Sequence, residues 1–144
     1  MKILFAASEA VPFAHTGGLG DVAGALPKAL SRLGHDVRLI MPLYRAVEVE
    51  RHRLDVVTKG IEVPAASGPQ AVDLLKGHLS SGIPVYFVRH APSFNRTGLY
   101  QSQSAEDYPD NAERFALFCR AVLEVCRAVS FQPEVLHAHD WQTA

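Results

Sequence analysis

The chain has 144 residues, the length of one domain, and a chain of this size buries roughly 70% of its unfolded surface without a disulfide or metal staple. Its 48% hydrophobic and 20% charged residues suit a globular protein, and 14 Lys and Arg against 15 Asp and Glu leave a net charge of −1. That balance excludes a nucleic-acid binder driven by bulk positive charge and an acidic tail protein, and no run approaches the roughly 18 apolar residues of a membrane span.

Ile3 to Ala7 is a continuous apolar run of strand length, closed by Glu9 before a signal-peptide core can form. Such a two-sided hydrophobic strand suits the middle of a parallel sheet, in a protein expected to be cytoplasmic. From Leu19 to Leu33 the period changes: Val22, Leu26, Ala29, Leu30 and Leu33 share one helical face, and Gly34 supplies a stop. Pro27 predicts either a kink in this helix or a helix that starts near it. Asp36 to Pro42 reads as a second strand, completing a βαβ unit. Tyr44 to Arg53 reads as a short helix or loop, with Arg45, Arg51, His52 and Arg53 forming a solvated charged segment.

Leu54 to Val63 and Ala71 to Leu79 read as strands around the turn Ser67-Gly68-Pro69, a hairpin insertion. Ile83 to Val88 is another buried strand. Ala91 to Asp107 has no apolar period and reads as a long surface loop, the kind that is often functional. Asp110 to Glu113 has the form of a capping box. Phe115, Phe118, Cys119, Val122, Val125, Cys126 and Val129 then mark the clearest amphipathic helix in the chain. Cys119 and Cys126 would sit roughly 10 Å apart along that helix, too far for a disulfide, so buried free thiols are expected. Val135 to Ala138 is the last strand. His139 to Ala144 then reads as the start of a further helix with Asp140 as its N-cap, so the sequence is expected to be a fragment. This order of elements predicts an α/β, doubly wound sheet.

Three segments are candidates for chemistry, the third being Asp107 to Phe115, most of which a capped helix start explains. Thr16-Gly17-Gly18-Leu19-Gly20-Asp21 lies between the first strand and first helix, where free helix-start N–H groups favour an anion or phosphate. Its glycine spacing is not the dinucleotide G-x-G-x-x-G pattern, and no G-K-[ST] follows, so a P-loop is disfavoured as well. Ile40-Met41-Pro42, at the end of the second strand, offers no acidic ribose-binding residue. Asp21 complements the helix dipole or faces a hydroxylated ligand. His137-Ala138-His139-Asp140-Trp141 stands at the carboxyl end of the last strand, on the glycine loop's edge if the strands are parallel. No third ligand stands at a metal-site spacing. Asp140 and His139 fit hydrogen bonds to sugar hydroxyls, whereas Trp141 is expected in the core, with a stacking face as its alternative role. Asn95-Arg96-Thr97 matches a glycosylation pattern in a chain with no sign of secretion.

Together and in this order, Ser8-Glu9, His15 to Val22, Pro42-Leu43-Tyr44, Asp110 to Phe115 and His137 to Trp141 resemble the bacterial glycogen synthases and plant starch synthases. That family has a strand ending in Ser-Glu, a Lys-Thr-Gly-Gly-Leu-Gly-Asp-Val loop, Pro-Leu-Tyr, Asp-Asn-x-x-Arg-Phe and His-Ala-His-Asp-Trp. The resemblance spans the whole chain. It implies a Rossmann-like, mostly parallel sheet, the N-terminal, acceptor-side half of a GT-B glycosyltransferase, here residues 1–144, incomplete at its C-terminal end and without the second nucleotide-binding domain. It also implies retaining transfer of glucose from ADP-glucose to the non-reducing end of an α-1,4-glucan such as glycogen, with no cofactor and no catalytic metal, and no nucleic-acid or membrane partner. The fragment alone is expected to be inactive.

Carried onto this sequence, the resemblance and the charge argument make Asp140 and Asp21 the catalytic candidates, and His15, Thr16, Gly17, Gly18 and His139 the substrate-binding ones. The family's loop lysine, associated with the donor phosphates, is His15 here. A free histidine is mostly neutral at pH 7, so a weaker or pH-dependent phosphate contact is expected. The alternatives are a GT-B enzyme using UDP-glucose or another donor, and a non-catalytic glucan-binding copy.

Overall fold

The structure is a computed structural model and describes residues 1–144. Its elements are β1 (Lys2–Ala7), α1 (Gly18–Arg32), β2 (Asp36–Pro42), β3 (Asp55–Val63), β4 (Gln70–His78), β5 (Pro84–Arg89), α2 (Ala91–Phe94), α3 (Asn111–Ala128) and β6 (Val135–His139), followed by a 3-10 turn at Trp141–Thr143. They build one six-stranded sheet in the order β3-β4-β5-β2-β1-β6. β5, β2, β1 and β6 are parallel, and the β3–β4 hairpin continues the sheet antiparallel beyond β5. The inserted hairpin is thus an edge of the main sheet.

β1 lies between β2 and β6, which is why its run from Ile3 to Ala7 is apolar on both sides. The β1-to-β2 and β5-to-β6 crossovers run in opposite directions, which for right-handed connections sends α1 and α3 to opposite faces. β1 and β6 pair in register, Ala7 opposite His139, so the segments after both strands leave from adjacent points on the carboxyl edge. On β6, the open lateral strand of the sheet, Val135 and Leu136 remain exposed.

Several expectations change. α1 runs unbroken through Pro27, so the helix does not start there, and its buried residues are Gly20, Ala23, Gly24 and Pro27. Val22, Ala29 and Leu33, from the predicted face, are exposed, because small residues let the helix close on what lies beneath. The 91–107 segment is no loose loop. It opens with α2, and polar bonds from α3 fasten the rest. Asp110 and Glu113 do not form a capping box: the Asp110 carboxylate pairs with Arg96 instead and gives the helix no side-chain cap. Cys119 and Cys126 are free but only half-buried, and that burial pushes both thiols up from their ordinary pKa. In the charged segment, Arg45, Arg51 and Arg53 are exposed, while His52 packs edge-on against Phe13. No helix is long and apolar enough to cross a membrane.

Candidate active site

The site is built on the carboxyl edge, beginning with two buried polar residues. Ser8 and Glu9 follow β1 directly and are 0% and 2% exposed. A buried carboxylate must be met by donors, and Glu9 has three. Oε2 accepts the Thr16 N–H at 2.6 Å, and Oε1 accepts the Thr16 hydroxyl at 2.6 Å and the Tyr100 hydroxyl at 2.7 Å. With its proton on Glu9, Tyr100 accepts from the Ser8 hydroxyl at 2.7 Å. Burial, ahead of these contacts, pushes the Tyr100 phenol well above its ordinary pKa, so it stays a donor.

Glu9 delivers the chain to the start of α1, where Gly17 stands at the N-cap and no side chain caps the helix. A Cβ at Gly17 or Gly18 would meet no atom within 4 Å. Packing does not require these two glycines; their effect is to leave the first-turn N–H groups and the positive end of the dipole uncovered. Gly20 differs, since a Cβ there would stand 2.9 Å from the His15 ring. That room lets His15 lie back toward the helix, with Nε2 3.5 Å from the Asp21 carboxylate, both side chains well exposed.

On the adjacent strand, His137 and His139 stack beside Phe5, with ring centroids 4.5 and 5.4 Å from it. Their facing nitrogens are 3.5 Å apart, and burial, then the neighbouring His139, lowers the His137 pKa. No group of three or more His, Cys, Asp or Glu side chains is arranged to hold a metal ion. Asp140 takes φ 69° and ψ 175°, a region that is essentially glycine's own. Its carboxylate accepts the Trp141 N–H at 2.7 Å, capping the short turn that follows. Trp141 is not a core residue: it is 53% exposed and rests edge-on against Phe115, so its indole remains available.

These ends meet in a cleft of about 760 Å³ whose lining includes Thr16, Tyr100, Tyr108, Asn111, Trp141 and Gln142. Its far wall, the 95–108 segment, is held by Arg114 of α3. That guanidinium is 1% exposed, and it donates to the Ser93 and Leu99 carbonyls and the Asn111 side chain at 2.6, 3.0 and 2.6 Å. It lies over the rings of Tyr108, Phe115 and Phe94 rather than against a carboxylate. Burial, ahead of the charge on Arg96, lowers its pKa. Asn111 donates to the Tyr100 carbonyl at 3.0 Å.

The family model for the starch synthase catalytic domain matches residues 2–144. The chain belongs to that family. It is 50% identical to a glycogen synthase of Geotalea uraniireducens and 52% identical to one of Syntrophotalea carbinolica, over 100% and 99% of its length and 29% of theirs. Among solved structures, the catalytic domain of starch synthase IV from Arabidopsis thaliana, bound to ADP and acarbose, superposes with a TM-score of 0.82 at 35% identity. That match covers 99% of this chain and 28% of the other. The chain therefore spans under a third of the length of these starch synthase relatives.

Of the residues predicted from sequence, this starch-synthase-family chain brings Thr16 and Trp141 into one cleft, with Gly17, Gly18 and Asp140 adjoining them in sequence. His15 and Asp21 pair with each other on the exposed side of the loop, and His139 lies beside Phe5. Glu9 and Tyr100 were not legible as site residues, while Tyr108, Asn111 and Arg114 lie in the third candidate segment, which a capped helix start was expected to explain. The one sequence signal for Glu9 was a carboxylate set directly behind a two-sided apolar strand, where burial is hard to avoid.

Proposed function

We propose that this chain is the first part of the acceptor-side domain of a cytoplasmic, retaining glucosyltransferase. The enzyme moves glucose from ADP-glucose to the non-reducing end of an α-1,4-glucan. The observation that carries the reading is the cleft itself: Thr16, which leads into an uncapped, glycine-rich helix start, and Trp141, which follows Asp140, line the same space beyond the ends of adjacent parallel strands. Cleaving a glucosyl–diphosphate bond puts negative charge on the leaving group and positive charge on the sugar. The N–H groups around Gly17 and Gly18 meet the first, with His15 beside them when protonated. The carboxylates of Asp140 and Asp21 meet the sugar's charge and hydroxyls. Trp141 and Tyr108 give the glucan apolar faces to lie against, and Asn111 and Gln142 add polar groups along the cleft.

The remaining domains belong to a longer polypeptide. The open β6 edge, with Val135 and Leu136 exposed, and the partial coverage of the relatives support this. The nucleotide's second wall comes from the later domain. The test is glucose incorporation into glycogen by the full-length protein, from ADP-glucose and separately from UDP-glucose. Preference for ADP-glucose is expected. Preference for UDP-glucose would overturn the donor assignment, and glucan binding without transfer from either donor would overturn the enzymatic reading. Transfer by purified 1–144 alone would overturn the division between domains.

A further inference from the structure

Glu9 is bonded to both walls of the cleft. Thr16, which leads into the start of α1, gives it two hydrogen bonds, and Tyr100, 91 residues further along the chain, gives it a third. All three are 2.6–2.7 Å long, the lengths of charge-assisted bonds. The far end of this connection is rigid, because Asn111 and Arg114 of α3 hold the Tyr100 and Leu99 carbonyls. The near end has open space around Gly17 and Gly18 and no side-chain cap on α1, and its other ties include backbone bonds such as the Val11 N–H to the Gly20 carbonyl at 3.1 Å. Among the side chains, Glu9 is the one that ties Thr16, and with it the glycine turn that follows, to the opposite wall.

We propose that Glu9 is a positioning residue that couples the two substrates: it transmits the placement of Tyr100, on the glucan wall, to the Thr16-Gly17-Gly18 turn on the nucleotide-sugar side. Glu9 touches neither substrate. A glucan that orders the Tyr100 wall then also orders the donor turn, and each substrate tightens the other's site by the same factor. The assignment of the two sides rests on the proposed function above; the linkage through Glu9 rests on geometry alone.

The test uses the full-length protein with Tyr100→Phe, which removes the bond to Glu9 and keeps the ring, together with Thr16→Val and Glu9→Gln. Tyr100→Phe should raise the KM for ADP-glucose about tenfold, the change expected on losing one hydrogen bond to a charged group. Thr16→Val should raise the KM for glucan, and the double variant should be no worse than the more impaired single one. Hydrogen exchange of residues 10–20 should quicken in Tyr100→Phe while that of α3 stays unchanged. An unchanged ADP-glucose KM in an active Tyr100→Phe enzyme would overturn the coupling. So would exchange that stays the same in residues 10–20, or that quickens equally throughout, since the latter marks only lost stability. If Glu9→Gln does not fold, the other two variants carry the test. If the wild type transfers glucose from no donor, the proposed function fails, and the exchange measurement alone decides the Glu9 linkage.

Discussion

α3 and the carboxyl edge around α1 use the same kinds of residue to opposite ends. α3 buries its apolar stripe: Phe115, Phe118, Val122 and Val125 are all 3% exposed or less. α1 leaves much of its stripe outward, with Val22 at 42% and Leu33 at 73% exposure and Leu26 only partly packed on the core, and buries Gly20, Ala23, Gly24 and Pro27 instead. Around it stand an uncapped helix start, a backbone-strained Asp140 and a half-exposed Trp141. The uncapped start is common to both helices, whereas the strained Asp140 and the exposed Trp141 give up stability that α3 keeps. The difference teaches that apolar periodicity locates a helix, while the buried face follows from how closely the segment beneath it, here Val11 to His15, lets the helix come.

The sharpest test of this contrast is a matched pair of truncations, read by chemical denaturation. Phe118→Ala should cost about 3–5 kcal/mol, because a fully buried ring leaves a cavity. Leu33→Ala should stay within about 0.5 kcal/mol, as at other exposed positions. Equal losses would break the comparison.

Gly24→Ala follows in size and separates propensity from packing. Propensity alone makes alanine better in a helix by about 1 kcal/mol. A Cβ at Gly24, however, would stand 3.0 Å from the Val11 carbonyl oxygen, so the substitution should instead destabilise by about 1–3 kcal/mol. A rise in melting temperature would mean that close approach does not hold α1.

Asp140→Gly should act in the opposite direction. It relieves a positive φ and loses the bond to the Trp141 N–H, for a net gain of up to about 1 kcal/mol. Glucose transfer by the full-length protein should meanwhile fall by about 100-fold or more, as expected on removing a group that stabilises transition-state charge. Stability and activity falling together would show that the strained backbone is not a cost accepted for the site.

The smallest effect is in pH. Burial, then His139, lowers the His137 pKa from 6.5, and burial lowers that of His90. Below 6.5 the unfolded chain takes up protons that these folded histidines resist, so their contribution to stability falls as pH drops from 6.5 through the folded values. His137→Asn should flatten the decline in melting temperature between about pH 7 and 5, with His90 keeping part of the slope. An unchanged slope would remove His137 from the account.

Much of this was legible in the chain itself. The two-sided apolar run of β1, the amphipathic repeat of α3 and the glycines between strand and helix depend on neighbours in sequence, where local periodicity and turn chemistry act. They were enough to predict the α/β order, the hairpin and the carboxyl-edge position of the glycine loop. The tertiary structure decided which face of α1 is buried, that Trp141 stands at the surface and that Asp110 pairs with Arg96 rather than capping α3. It also decided that Arg114 is enclosed by aromatic rings and carbonyls, and that Glu9 reaches Tyr100. The physical reason is distance along the chain: these choices follow from desolvation and hydrogen-bond satisfaction between segments that only the closed sheet brings together, and no local pattern encodes which partner arrives.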